Sequence, residues 1–479
     1  MFMVKFSMFR MVGVAHLCTN MNNSETICAL STARGVGAIA LIRMSGPQAL
    51  EITEQVFSKS LVDIRKNGVV HGWIMEGDER VDEVVINVFR APRSYTGEDI
   101  VEIACHGSMY IQQRILQLLM NRGARPAGPG EYTMRAFMNG KLDLSQAEAV
   151  GDLIASESAA AHKQALHQMR GGFSREINLL RERLIHFAAL IELELDFAEE
   201  DVEFAQRDQF KILLEEILVV VNRLADSFQL GNVLKNGVPV AIIGAPNAGK
   251  STLLNALLNE ERAIVSDIPG TTRDTIEEQL TLGGIRFHFI DTAGIRETGD
   301  RIENIGISRA IEKARMAHII LYIFDAAAVD FEHYSQFLNY LRKEMGNEKL
   351  ILSLANKVDS KYFDQTVFEK HFMHSDKIHL ISAEQGEGLE EVKAALISSV
   401  DSGRINSGET IVTNARHYHA LCAARTALTD VLNGLQSGLT GDLLSIDIRN
   451  ALQSLGDITG AVTPDDLLNH IFSSFCIGK

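Results

Sequence analysis

The stretch Gly244-Ala-Pro-Asn-Ala-Gly249-Lys250-Ser251 constrains this chain more than any other, because it follows the strand-like run VAIIG and precedes the helical run TLLNALLN. A glycine-rich loop joining a strand to a helix brings backbone amides and a helix N-terminus together as a cradle for phosphates. In that cradle Lys250 reaches the β and γ phosphates and Ser251 takes Mg²⁺. After it, the runs IRFHFID, HIILYIFD, KLILSLANK and KIHLISA alternate with helical stretches, which predicts an α/β domain whose mostly parallel sheet is covered on both faces.

Three further elements follow at strand ends. Asp291-Thr292-Ala293-Gly294 ends IRFHFID, placing Asp291 for the metal's water shell and the Gly294 amide for the γ phosphate. Asn356-Lys357-Val358-Asp359 ends the next strand but one. Asp359 can accept two hydrogen bonds from guanine N1 and N2, donors that adenine lacks, with Asn356 and Lys357 bracing the loop. Ser382-Ala383 ends KIHLI. The nucleotide is therefore read as GTP, on a Ras-like P-loop domain. Gly270-Thr271-Thr272-Arg273-Asp274 is the intervening switch, with Thr272 as second Mg²⁺ ligand. The GTP-contacting set is Asn247, Ala248, Gly249, Lys250, Ser251 and Thr252, then Ser266, Asp267, Ile268, Pro269, Gly270, Thr271 and Thr272, then the three strand-end motifs.

The departure lies after Gly294. Ras-like proteins place a Gln there to orient the attacking water, and this chain has Ile295, which neither donates nor accepts. Glu297 and Glu303 are candidates for that task, and both also read as solvated surface acids. No arginine finger is assured, so charge growing between the β and γ phosphates needs another cation. The Asn247 amide oxygen is a candidate for holding a monovalent one.

At 479 residues the chain has room for roughly three domains. The boundaries expected are an extension at 1–22, an α+β domain at 23–140, a helical part at 141–235, the nucleotide domain at 236–401 and a second helical part at 402–479, so that the nucleotide domain reads as an insertion. The α+β domain is read from TICAL, GAIALIRM, VDEVVINVF and DIVEIACHG with the helical run SMYIQQRILQLLMNRG. Ser145-Gln-Ala-Glu148 is expected to cap the first helix of the helical part. GNVLKNGVP from Gly231 and DSGRINSGE from Asp401 read as linkers, and the acid-rich Phe187–Glu216 stretch as a solvated face. Thr463-Pro464-Asp465-Asp466 should start a short last helix running toward Phe475. Gly35-Val-Gly37-Ala-Ile-Ala40 mimics a dinucleotide fingerprint, but the run IALIRM within and after it reads as strand where that motif needs a helix.

The first 20 residues carry Lys5, Arg10 and His16 and no acid; an overlong start or loose tail, a transit peptide and a secretory signal are the readings. A net charge of −16 argues against general adhesion to nucleic acid or anionic membrane, so any RNA must meet a local basic patch or a partner. Cys18, Cys28, Cys105, Cys422 and Cys476 are scattered and odd in number, which fits a reducing, cytoplasmic setting rather than a disulfide framework. No apolar run is long enough to span a bilayer.

On ARGVGAIALIRMSG, SYTGEDIVEIACHG, RPAGPGEYTMRAFMNGKLDLSQAEAV, GAPNAGKSTLLNAL, SDIPGTTRD, DTAGIRETGDRIENIGI and the terminal DDLLNHIFSSFCIGK, the chain resembles the bacterial tRNA-modification GTPases of the MnmE (TrmE) family, from about Glu25 to Lys479. The resemblance implies a K⁺-stimulated GTPase whose nucleotide domains pair within a homodimer. It assigns Asn247, Ser266, Ile268 and Thr271 to K⁺, Ser251 and Thr272 to Mg²⁺, and Glu303 to orienting water. Lys250, Thr272 and Glu303 are then the catalytic set and Glu297 is surface. Ser266 stands where Thr is often seen and keeps the hydroxyl. For the N-terminal domain the resemblance implies dimerisation and a tetrahydrofolate one-carbon site at Arg43, Glu102, Lys141 and Lys479, with Cys476 a possible catalytic thiol. By themselves Arg43, Glu102 and Lys141 read as surface charges. The implied reaction, shared with an FAD-dependent flavoprotein of the MnmG (GidA) type in a heterotetramer or larger complex, installs a carboxymethylaminomethyl-type group at C5 of a tRNA wobble uridine. The alternative is a ribosome-assembly or signalling GTPase switch without one-carbon transfer, against which the folate-like segment and the FCIGK terminus count.

Overall fold

The computed structural model describes residues 25–61, 64, 66–196, 207–259, 278–290, 311–328, 330–345, 349–372, 377–400, 410–461, 468, 471–473 and 475–478. Two compact units are present, one made of Met1–Ile154, Leu166–Val221 and Ala420–Lys479, the other of Ala155–Ala165 and Asn222–His419.

The first unit contains a sheet of β1 (Ile27–Leu30), β2 (Ile39–Ser45), β3 (Gly68–Glu76), β4 (Glu79–Phe89), β5 (Ile100–His106) and β6 (Arg125–Pro126), in the order β3-β4-β5-β2-β1-β6. All neighbours are antiparallel except the short β1–β6 pair. Alternation fixes which side chains reach the core. On β4, Asp82, Val84, Ile86 and Val88 are buried while Glu83 and Val85 are exposed. The buried face packs against Ile115, Leu118 and Leu119 of the helix Met109–Asn121. The opposite face carries Arg43 on β2 directly across from Glu102 on β5. β2 occupies the place where the rejected dinucleotide fingerprint would need a helix.

The helix-rich texture beyond residue 141 appears as Leu144–Ala155, Ala159–Met169, Gly172–Asp196 and Arg207–Asp226. The expected cap is shifted. The first of these helices begins at Leu144, and the reciprocal pair is Asp143 with Gln146: the Gln146 N–H donates to Asp143 Oδ1 and the Asp143 N–H to Gln146 Oε1, both 2.9 Å. The same geometry is thus satisfied two residues earlier than Ser145 and Glu148 suggest. Ser145 is buried, with its carbonyl accepting from Gln168 Nε2 at 3.0 Å.

The linker expected from Gly231 is a helix, Phe228–Asn236. Leu230, Val233 and Leu234 recur at helical spacing and pack inward, and that pattern outweighs the turn-forming composition. The second expected linker and Thr463–Asp466 lie outside the described residues, and residues 471–473 are helical.

In the second unit, β7 (Val238–Ile243), β8 (Glu278–Leu282), β9 (Ile285–Phe289), β10 (Ile319–Asp325), β11 (Leu350–Asn356) and β12 (Ile378–Ile381) lie in the order β12-β11-β10-β7-β9-β8. Five strands run parallel, and β8 pairs antiparallel with β9 at the edge. β10 is buried from Ile319 to Phe324, as a central strand covered on both faces must be. Core clusters lie on each side of it, one around Leu253, Leu257 and Ile323, the other around Ile320, Tyr322 and Leu341. Among the described residues no helix is long and apolar enough to cross a membrane.

Candidate functional site

β7 ends at Ile243 and the helix Lys250–Asn259 begins seven residues on, so Gly244–Gly249 form the phosphate loop at the carboxyl edge of a central strand. That is where ligands bind in open parallel sheets. Asn247 sits in the left-handed region at φ 60°, and Gly249 at φ 103°. A Cβ on Gly249 would run into the Asn356 amide nitrogen, so this position requires glycine. The Lys250 ammonium donates to the carbonyls of Gly244 at 2.9 Å and Ala245 at 2.8 Å. Burial, reinforced by the nearby charge of Lys313, holds the pKa of Lys250 below the usual lysine value. A half-buried ammonium resting on its own loop's carbonyls is a donor set suited to a polyanion. Ser251 and Thr252 form the first turn of the helix that follows.

A single buried amide joins the separate motifs. Asn356, 3% exposed, donates through Nδ2 to the Ala248 carbonyl at 2.8 Å and accepts through Oδ1 from the Ala383 N–H at 2.9 Å. The phosphate loop, the Asn356–Asp359 motif and Ser382-Ala383 therefore converge on one side chain. Ser382 is fully buried and closes a tight turn, with its carbonyl accepting from Gly386 N–H at 2.9 Å and its N–H donating to Glu387 at 3.0 Å. Lys357 has φ 69° and donates to Asp325 Oδ2 at 2.7 Å; Asp359 is exposed two residues on. Ser266, Asp267, Ile268, Pro269, Gly270, Thr271, Thr272, Asp291, Thr292, Ala293, Gly294, Glu297, Glu303 and Lys479 lie outside the described residues.

In the first unit the structure brings Arg43 and Glu102 together at 2.8 Å across the β2–β5 pair, largely shielded from solvent. The Arg43 guanidinium lies 5.7 Å from the ring centroids of both Tyr95 and Tyr132, within cation–π range. The Tyr132 hydroxyl donates to the Arg43 carbonyl at 2.7 Å. Lys141 makes a different contact, with its ammonium donating to the Pro92 carbonyl at 2.9 Å. A cation, a carboxylate and the partly exposed Tyr95 ring are a chemically fitting set for folate, which carries carboxylates, pterin N–H donors and flat rings, while Tyr132 is fully buried and supports Arg43 from the core. The two tyrosines were not singled out from sequence; both lie inside the runs SYTGED and GEYT, and only the fold brings them to Arg43.

The helix that carries Tyr132, Glu131–Met138, is pinned by an ionic network. Arg135, 3% exposed, donates to Glu98 Oε2 at 3.1 Å, Glu131 Oε1 at 3.0 Å and the Glu25 carbonyl at 3.0 Å. Arg125 adds a second cation on Glu131 at 2.6 Å. A cavity of about 380 Å³ opens beside this network, lined by Arg125, Glu131, Met134 and Phe472 among others.

The C-terminal segment is latched to the same region. The Gly130 N–H donates to the Cys476 carbonyl at 3.3 Å, Ile477 bridges Pro129, and the Ser31 hydroxyl donates to the Gly478 carbonyl at 3.1 Å. The Cys476 side chain is exposed, whereas burial pushes the thiols of Cys28 and Cys105 up to about 11. Gly478 has φ 99°, and a Cβ there would strike the Leu30 carbonyl oxygen. Gly478→Ala is therefore expected to unlatch the tail. Hydrogen exchange at the Gly130 amide should accelerate by about 10-fold or more, while β7 amides keep their protection. Unchanged exchange at Gly130 would show that the latch tolerates the methyl group.

Sequence comparison identifies the lineage. Residues 26–141 match the family model for the GTP-binding protein TrmE N-terminus, and residues 144–476 that for the MnmE helical domain. The tRNA modification GTPase MnmE of Christiangramia forsetii is 54% identical over 474 residues, covering 96% of this chain and 100% of that protein. The proteins of the same name from Flavobacterium johnsoniae and Cytophaga hutchinsonii are 53% and 52% identical, each over 96% of this chain and over 100% and 98% of their own lengths. With both family models matched and full-length identity above one half, the chain belongs to the MnmE (TrmE) family of tRNA-modification GTPases.

Proposed function

We propose that this chain is a K⁺-stimulated GTPase that acts as a homodimer with an FAD-dependent flavoprotein, in the cytoplasm, to install a carboxymethylaminomethyl-type group at C5 of the wobble uridine of tRNAs. The observation that carries the reading is the convergence on Asn356: the same amide touches the phosphate loop at Ala248 and the guanine-side turn at Ala383, so a nucleotide seated on one is registered by the other. Asp359 accepts guanine N1–H and N2–H. Lys250 leaves its loop carbonyls for the β and γ phosphates. Ser251 and Thr272 hold Mg²⁺; Asn247, with Ser266, Ile268 and Thr271, holds K⁺; Glu303 orients the attacking water, since Ile295 has no group that can do so.

The Arg43–Glu102 pair, with Lys141 and Lys479, takes a tetrahydrofolate derivative, with the Tyr95 ring beside Arg43. When bound at the nucleotide site, Mg²⁺ and K⁺ would neutralise charge growing on the phosphates, and a folate in the first unit would supply the one-carbon unit. The flavoprotein carries much of the tRNA contact, which agrees with the −16 charge of this chain. The test is GTP turnover in K⁺ against Na⁺ at several protein concentrations, with a separate folate titration. K⁺ should raise turnover on the order of 10-fold or more. Equal slow rates in both salts would leave only an unassisted GTP switch.

A further inference from the structure

We propose that Asp325, a residue outside the recognised GTPase motifs, is a positioning residue for guanine recognition that acts through Lys357. The proposal deepens the nucleotide-site reading and rests on Asp359 being the group that meets the base.

Asp325 is the last residue of β10, in register with Asn356 at the end of β11. Its two carboxylate oxygens have separate partners. Oδ2 accepts from Lys357 Nζ at 2.7 Å and Oδ1 accepts from the Ala327 N–H at 3.0 Å, so the group cannot rotate without losing one of them. The Ala326 N–H donates to the Asn356 carbonyl at 2.8 Å, joining the two strand ends next to the pair. Lys357 stands at φ 69°, a conformation that a residue with a side chain keeps only where its surroundings enforce it. That conformation directs the chain from Asn356, which is locked into the phosphate loop, out to Asp359. A carboxylate fixed at both oxygens is the enforcing contact.

Exposure separates this assignment from a stabilising ion pair. The Lys357 and Asp325 side chains are 40% and 28% exposed, and pairs at such sites contribute little to folding. The effect of Asp325 therefore belongs in nucleotide affinity.

The experiment uses the full chain, with GDP binding by calorimetry and steady-state GTP turnover for Asp325→Ala, Asp325→Asn, Lys357→Ala and the double variant. Asp325→Ala should weaken GDP binding and raise KM by roughly 10-fold with kcat within about 2-fold, and should add nothing in the Lys357→Ala background. Asp325→Asn keeps an acceptor and should fall between wild type and Asp325→Ala. Additive effects, a fall in kcat at constant KM, or unchanged GDP affinity in both Asp325 variants would overturn the assignment. Asp359→Asn is measured alongside with guanosine and xanthosine diphosphates, because an amide at that position pairs with the xanthine 2-oxo group. Retained preference for GDP would overturn the underlying guanine reading. A switch to the xanthosine nucleotide with normal GDP binding by Asp325→Ala would overturn the Asp325 assignment alone.

Discussion

Replacing Lys250 by alanine is expected to lower GTP turnover by roughly 10²- to 10³-fold while leaving thermal melting of the nucleotide-free protein nearly unchanged. The two halves of this expectation have one origin. The ammonium is half-buried, and burial together with Lys313 disfavours its charge, so its pKa lies below that of a free lysine. A lysine whose pKa is lowered by folding opposes folding wherever it is protonated. Its hydrogen bonds to Gly244 and Ala245 offset part of that cost, and their loss and the loss of the buried charge nearly cancel. What does not cancel is the interaction with the triphosphate, whose charge grows on bridging oxygens in the transition state and has no second cation among the phosphate-loop side chains. Turnover at saturating GTP and a melting curve decide the matter; wild-type turnover would remove Lys250 from the site.

The second large effect is on stability. Arg135→Ala should destabilise the first unit by about 3 kcal/mol, because it removes the cation shared by Glu98 and Glu131 in a poorly hydrated setting and leaves Glu131 to Arg125 and Glu98 to the Ser45 hydroxyl. Trp73, the one tryptophan of the chain, lies on β3 of the same sheet and reports the transition during urea unfolding. The effect is pH-dependent with a definite sign. Burial by itself would raise the Glu131 carboxyl, but hydrogen bonds from Arg125, the Gly128 amide and Arg135 outweigh it and hold the pKa below the ordinary carboxylate value. A depressed carboxylate contributes stability above its unfolded pKa of about 4, and the contribution disappears as pH falls through the lower folded value. The gap between wild type and Arg135→Ala should therefore be full at neutral pH and shrink in acid. A gap that is constant with pH would mean that the guanidinium acts by packing alone.

The legible parts of this protein are those whose chemistry demands particular residues in short runs. The phosphate loop and the Asn356–Asp359 motif could be read directly, because anion binding and guanine recognition each require local donors and acceptors. Strands β1, β2, β4 and β5, and the parallel strands β7, β9, β10, β11 and β12, were visible as short apolar or alternating runs. β3 was not, since Gly72 interrupts its pattern, and β8 was not, although the Gly283-Gly284 pair after it is a hairpin signal. The helix Phe228–Asn236 is hard to read because its glycine and asparagines mask the spacing of Leu230, Val233 and Leu234. Contacts between distant segments left no local signal. Arg125 meets Glu25 from 100 residues away, Asp325 meets Lys357 across two strand ends, and Tyr95 and Tyr132 reach Arg43 only through the sheet.

The latch between Gly478 and Ser31 joins residues 447 apart in sequence. During synthesis the first sheet leaves the ribosome early, yet its rim at Ser31 meets its partner only once a segment 447 residues further on has been made. Closing so long a loop carries an entropic cost, so this contact forms late. A chain lacking Cys476–Gly478 keeps its nucleotide loop and its sheet but lacks the rim contact. The rim of the first sheet is thus finished only when residues from both ends of the first unit have met.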